Sequence, residues 1–221
     1  MNMVDRSRAV PSRVHSSSEE FANTISHGIG FIGALVGAPI LVVAAYHAGG
    51  GGFFVGTVVF SLTMLAVYLA SMLYHAWPPT RVKYVLQVID HSAIFLLIAG
   101  TYTPFTLGPL RGALGSTMLG ILWAVAIFGV ILKVIRGTSR HRKLALTLYL
   151  GMGWSALLII RPLMASVPPS AVCWLVAGGV AYTVGVLFFV NERLRYGHFA
   201  WHLFVLAGTS CHFLAVFACT I

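Results

Sequence analysis

The sequence predicts an all-α integral membrane protein, a bundle of seven transmembrane helices with its N-terminus in the cytoplasm and its C-terminus outside. Three observations carry this. Of 221 residues, 58% are hydrophobic and 9% charged, and the mean hydropathy is +0.90, whereas a soluble domain has about 25% charged residues. Seven apolar runs reach, or nearly reach, the roughly 20 residues that a spanning helix needs. The lysines and arginines fall in the short gaps between those runs, overwhelmingly on one side.

The predicted spans, in order, are Ile25–Tyr46, Phe53–Tyr74, Val88–Leu107, Ala113–Leu132, Leu144–Met164, Ala171–Val190 and Phe199–Ile221. Residues 1–24 form a cytoplasmic segment ahead of a transmembrane domain over 25–221. That head carries Asp5, three arginines, a serine run and two glutamates, unlike a cleaved signal peptide. Its Ser16 to Glu20 stretch holds Ser-x-x-Glu twice, the spacing of a capping box, and predicts a short interfacial helix leading into span one. Gly33 and Gly37 form a GxxxG that permits close helix approach. Pro39 and Pro104 lie inside spans, where neighbours can satisfy the freed carbonyls. Gly49 to Gly52, Pro78–Pro79 and Pro168–Pro169 mark turns. Cys173, Cys211 and Cys219 are odd in number and lack CxxC spacing, so they read as small packing residues.

With the N-terminus inside, twelve basic residues face the cytoplasm: Arg6, Arg8, Arg13, Arg81, Lys83, Lys133, Arg136, Arg140, Arg142, Lys143, Arg193 and Arg195. Only Arg111 and Arg161 face out. Flipping the chain would invert this bias, so it sets the orientation. The formal charge of +9 therefore reads as a topology signal. With no interleaved aromatic platform, it does not indicate a nucleic-acid partner.

On this topology the polar residues within apolar runs collect near the cytoplasmic face. His198 and His202 are four apart and share one face of span seven, so both can reach one metal ion. His75 closes span two in a Ser71-x-x-x-His75 pattern. That spacing sets Ser71 on the same face, roughly 6 Å deeper. His75 can also be read as an interfacial cap, with Ser71 bonded to its own helix. Asp90 is the one acidic residue inside an apolar run; a buried carboxylate must be paired, protonated or near a cation. It could equally pair with Lys83 or Arg193. His91 lies about 100° around the helix from Asp90 and is not expected to face the same ion. His212, ten residues past His202, lies roughly 15 Å along the helix, and reads as a helix-to-helix contact. His15, His47 and His141 fall in solvated segments and carry no signal.

Together these pieces resemble the hemolysin III family, kin to the progestin and adipoQ receptors. The resemblance lies in Ser71-x-x-x-His75, the segment IDHSAIFLLIAGTYTPF around Asp90, the tail HFAWHLFVLAGTSCHF, and a head, Glu20-Phe-Ala-Asn23-x-x-x-His27-Gly-x-Gly, that matches the bacterial branch. It runs from Glu20 to His212. It implies a zinc ion within the membrane near the cytoplasmic side, held by His75, His198 and His202, with Asp90 reaching it directly or through a water and Ser71 near that water. Glu20, Asn23 and His27 share one side of helix one and are expected to support the ligands from outside. A bacterial plasma membrane is the implied location.

Three histidines leave a fourth zinc position open, as in catalytic sites, and zinc lowers the pKa of a bound water to about 7. One function class is a zinc-dependent hydrolase of a membrane-lipid amide or ester, with Asp90 taking the water's proton and Ser71 donating to the developing oxyanion. Another is a non-enzymatic sensor or regulator of membrane lipid in which zinc ties spans two, three and seven together. A third is a hemolysin-like pore, although no span shows a regular polar stripe. A membrane lipid is the expected partner in the first two.

Overall fold

A computed structural model describes residues 15–138, 141–191 and 193–221. Among them there are helices and no strands. The calls on Asp5, Arg6, Arg8, Arg13 and Arg140 lie outside the described residues. Helix α1 spans Ser17–Ala48, α2 Gly51–Ala76, α3 Arg81–Leu107 and α4 Ala113–Arg136. The fifth crossing is composite: α5 (Arg142–Trp154), a 3-10 stretch (Ser155–Ile159) and α6 (Ile160–Ser166). Helices α7 (Pro169–Val190) and α8 (Gly197–Ala218) complete the chain. Seven stretches are long and apolar enough to cross a membrane, with Arg142–Ser166 counted as one. All seven expected spans are present, most of them longer than their apolar runs. A helix does not stop where its apolar run stops.

The expected helix start is built at Ser16. Its hydroxyl accepts from the Glu19 amide while the Glu19 carboxylate accepts from the Ser16 amide at 2.9 Å. The capped turn runs into the first span without a break, giving one helix of 32 residues. Helices α1 and α2 are joined through Gly49 and Gly50 at φ 81° and 85°, a left-handed region open to glycine at little cost. Thr80 caps α3 after the Pro78–Pro79 turn, and Pro169 sits in the first turn of α7, where its missing N–H is harmless.

Helix α2 packs between α1 and α3. Helix α4 packs on α3, and α8 packs between α1 and α7. The close approaches differ from the GxxxG expectation. Gly33 meets nothing, whereas a Cβ on Gly30 would lie 2.6 Å from Leu206 and one on Gly37 3.1 Å from Phe213. The face toward α8 recurs at seven residues, not four, because α1 and α8 cross as ordinary packed helices. The 3-10 break was not foreseen. Tyr102 of α3 pins it there: its hydroxyl donates to the Gly153 carbonyl at 2.7 Å and accepts from the Ala156 amide at 2.9 Å. The three cysteines are free.

Candidate metal centre

Three imidazoles meet at one end of the bundle. His75 comes from the last turn of α2 and His198 and His202 from the first turns of α8. Their nearest ligand atoms all lie within 4.8 Å of one another. The ring centroids form a nearly equilateral triangle with sides of 5.0, 4.9 and 4.7 Å. His75 and His202 are buried and His198 is half-buried. A metal ion can sit between them. Zinc–nitrogen bonds of about 2.0–2.1 Å at tetrahedral angles place ligand nitrogens about 3.3 Å apart, and the Nε2 atoms of His75 and His198 are 3.2 Å apart.

Helix α1 decides which nitrogens are available. The Nδ1 of His75 donates to a Glu20 carboxylate oxygen at 2.5 Å, and the other oxygen pairs with Lys83 Nζ at 3.0 Å. The Nδ1 of His202 faces the Asn23 carbonyl at 3.2 Å and the Ser26 hydroxyl at 3.0 Å, and that hydroxyl itself donates to the Asn23 carbonyl. A carboxylate and a carbonyl only accept, so both histidines carry their proton on Nδ1 and present a bare Nε2 to the cluster. The His27 ring stacks on His202 at 3.6 Å with an 8° tilt, fixing the ring plane. Glu20, Asn23 and His27 all touch a histidine of the cluster.

Asp90 does not belong to the converging group. It is buried on α3 and lies beside the Ser71 hydroxyl. Lys83, offered as a partner for Asp90, is committed to Glu20 and to the carbonyls of Tyr74 and Trp77. His91 faces a separate cavity. His212 packs on Gly178 and the Tyr182 ring of α7, a helix-to-helix contact as expected.

Sequence reasoning missed three participants. His15, read as solvated, places its ring centroid 5.1 Å from His198 and 6.4 Å from His75. Ser26 was passed over although it follows Asn23 by three residues, the spacing that keeps a helix face. Glu19 accepts from the Tyr196 amide at 2.9 Å. Tyr196 has φ 58°, a left-handed conformation that costs a non-glycine residue about 1–2 kcal/mol. The Glu19 carboxylate thus ties the starts of α1 and α8 together and holds the α8 histidines in register.

One cavity adjoins the cluster and a second lies beside the first. The first, of about 210 Å³, is lined by His198, His15, Gln87, His91, Lys133 and Arg142 among others. The second, of about 140 Å³, is almost wholly apolar and lies among α3, α5, α7 and α8. Ile94 and Tyr149 line both.

A family profile described as Haemolysin-III related matches residues 15–213. The chain is 40% identical over 198 residues to the Hemolysin-3 homolog of Bacillus subtilis (strain 168), covering 90% of this chain and 92% of that one. It is 42% identical over 198 residues to Hemolysin-3 of Bacillus cereus, with 90% of each chain covered. It is also 25% identical over 204 residues to the human Monocyte to macrophage differentiation factor, covering 90% and 83% respectively. Seven stretches long and apolar enough to cross a membrane among the described residues, a three-histidine cluster and similarity along nearly its whole length place this multi-pass membrane protein in the haemolysin III family.

Proposed function

We propose that the protein is a zinc-dependent hydrolase of an amide or ester bond in a membrane lipid. The observation that carries this reading is the set of three converging imidazoles with no fourth carboxylate, cysteine or histidine joining them among the described residues. A closed structural site would use four protein ligands; three leave room for a reactant. His75, His198 and His202 would hold the ion. When bound, zinc would supply Lewis acidity toward a carbonyl oxygen and toward water.

The chain's own residues supply the rest. Glu20 and the Asn23 carbonyl keep the protons of His75 and His202 on Nδ1 and orient the rings. Asp90, buried and outside the ligand group, would accept the proton of an attacking water. The Ser71 hydroxyl, beside Asp90, would donate to the oxygen on which negative charge develops. The apolar cavity would take the acyl chain and exclude water from it. Arg81, Lys83, Lys133, Arg136, Arg142, Lys143, Arg193 and Arg195 lie at the histidine end of the bundle, which supports a cytoplasmic orientation for that end in a bacterial plasma membrane.

The test is metal analysis of the purified protein coupled to a product screen on ceramides and other acylated lipids. S71A and D90A are expected to keep the metal while losing about 10²-fold or more in turnover. Wild-type protein that holds zinc, cleaves none of these lipids and changes shape with lipid composition would replace the hydrolase with the sensor reading.

A further inference from the structure

Lys133 is the least expected side chain in the molecule. It lies in the last turn of α4, is 3% exposed, and among the described residues its ammonium has a single hydrogen-bond partner, the Thr138 carbonyl at 3.2 Å. An ammonium carries three donors, and burying one without a counter-charge costs several kcal/mol. Among the described residues Glu19 is bound to the helix cap and Tyr196, and Glu20 to His75 and Lys83, while Asp90 faces Ser71. None forms an ion pair with Lys133.

Lys133 lines the 210 Å³ cavity together with Arg142, Gln87 and His91. Its polar wall is held in place. Gln87 accepts from the Thr138 hydroxyl at 3.1 Å and donates to the Tyr74 hydroxyl at 3.1 Å, so both ends of its amide are fixed. Arg142 donates to the Phe189 carbonyl at 2.8 Å with its guanidinium over the Phe189 ring. Positive groups in a half-enclosed cavity of low dielectric attract an anion far more strongly than they would on an open surface. Ile94 and Tyr149 also line the apolar cavity, so the two cavities are neighbours across these side chains.

We infer that this cavity is a binding site for an oxyanion carried on an acyl chain, with Lys133 as its principal counter-charge and the chain lodged in the neighbouring apolar cavity. A phospholipid phosphate and a fatty-acid carboxylate share this chemistry. Because His198 borders the same cavity, the anchored end lies next to the histidine cluster. The assignment holds whether or not a bound lipid is cleaved.

The experiment uses full-length protein in neutral detergent with its metal chelated, so that hydrolysis plays no part. Thermal stability and native-mass retention are followed with phosphatidylglycerol, oleate, zwitterionic phosphatidylcholine and inorganic phosphate. Phosphatidylglycerol or oleate, whichever is the ligand, is expected to stabilise the wild type, and phosphatidylcholine is not. In K133M the affinity should fall by about tenfold or more, the size of one lost charge-assisted hydrogen bond. Its lipid-free stability should hold or rise, because an apolar side chain replaces an under-satisfied ammonium. Equal stabilisation by phosphatidylcholine, or an unchanged affinity in K133M, overturns the assignment; a full response to inorganic phosphate alone overturns its acyl-chain half. Should K133M fail to fold, I94W, which enlarges a side chain lining both cavities without altering a charge, must lose the response to the acyl anion, and its retention would overturn the proposal.

Discussion

The two sides of the bundle are built differently. On one side α2 packs closely between α1 and α3 with α8 laid against α1, and half of the α2 membrane window is buried inside the protein. There the cluster is held by a continuous chain of polar contacts from Lys83 through Glu20 to His75, and from Ser26 and Asn23 to His202. On the other side the fifth crossing is broken by a 3-10 stretch and α7 has only 11% of its window buried. There the apolar cavity opens among Tyr102, Trp154 and Tyr182. The contrast separates two demands. Ligand nitrogens must be fixed to a few tenths of an ångström, and close packing does that. On the proposed function, a lipid entering sideways would need a wall that yields, and thin packing around a cavity would permit it.

The largest effect expected from breaking this contrast falls on the tight side. H202A should abolish metal binding at equimolar zinc, whereas E20A should weaken it by the roughly 10–100-fold characteristic of a lost partner behind a ligand. Competition with a chelator of known affinity separates the two. If E20A bound metal as tightly as wild type, Glu20 would be a fastener between helices and not a support for His75.

Next comes packing. A Cβ at Gly56 of α2 would lie 2.5 Å from the Pro104 backbone of α3, while one at Gly151 of α5 would meet nothing. G56A should destabilise by about 1–3 kcal/mol through overpacking. G151A should be neutral or mildly stabilising, since alanine is the better helix former by about 1 kcal/mol. Thermal unfolding in one detergent tests both, and equal effects would erase the distinction between the sides.

The smallest effect is at the hinge between them. Y102F removes the hydroxyl that bonds Gly153 and Ala156 and should cost about 1 kcal/mol. Faster hydrogen exchange confined to residues 152–160 would sharpen the comparison. Protection lost across α2 and α8 as well would show that the two sides unfold together.

Much of the site could be read before any coordinates. His198 and His202 at a four-residue spacing, and Glu20, Asn23 and His27 on one face of α1, follow from helical geometry alone. Ser26 carried the same signal and was overlooked because serine is common in membrane helices. His15 had no readable signal. It stands one residue before the cap, and its place over His198 depends on the angle at which α1 meets α8. Tyr102 was equally silent, because a tyrosine in an apolar run does not reveal that its hydroxyl will meet a backbone break 50 residues later.

What the sequence determined by itself is whatever depends on local periodicity and on solvent. Runs of apolar residues must become helices in lipid because an unpaired backbone amide there has no water to turn to. Residues three and four apart on those helices must then share a face. What only the tertiary structure decided is which faces meet. That the carboxylate of Glu20 goes to His75 and Lys83 instead of leaving Lys83 for Asp90, that Gly30 and not Gly33 admits α8, and that Lys133 ends beside Arg142 all depend on packing angles and side-chain volumes of helices far apart in the chain. No local pattern encodes these, since the contact free energies that select them belong to pairs of helices and not to either one alone.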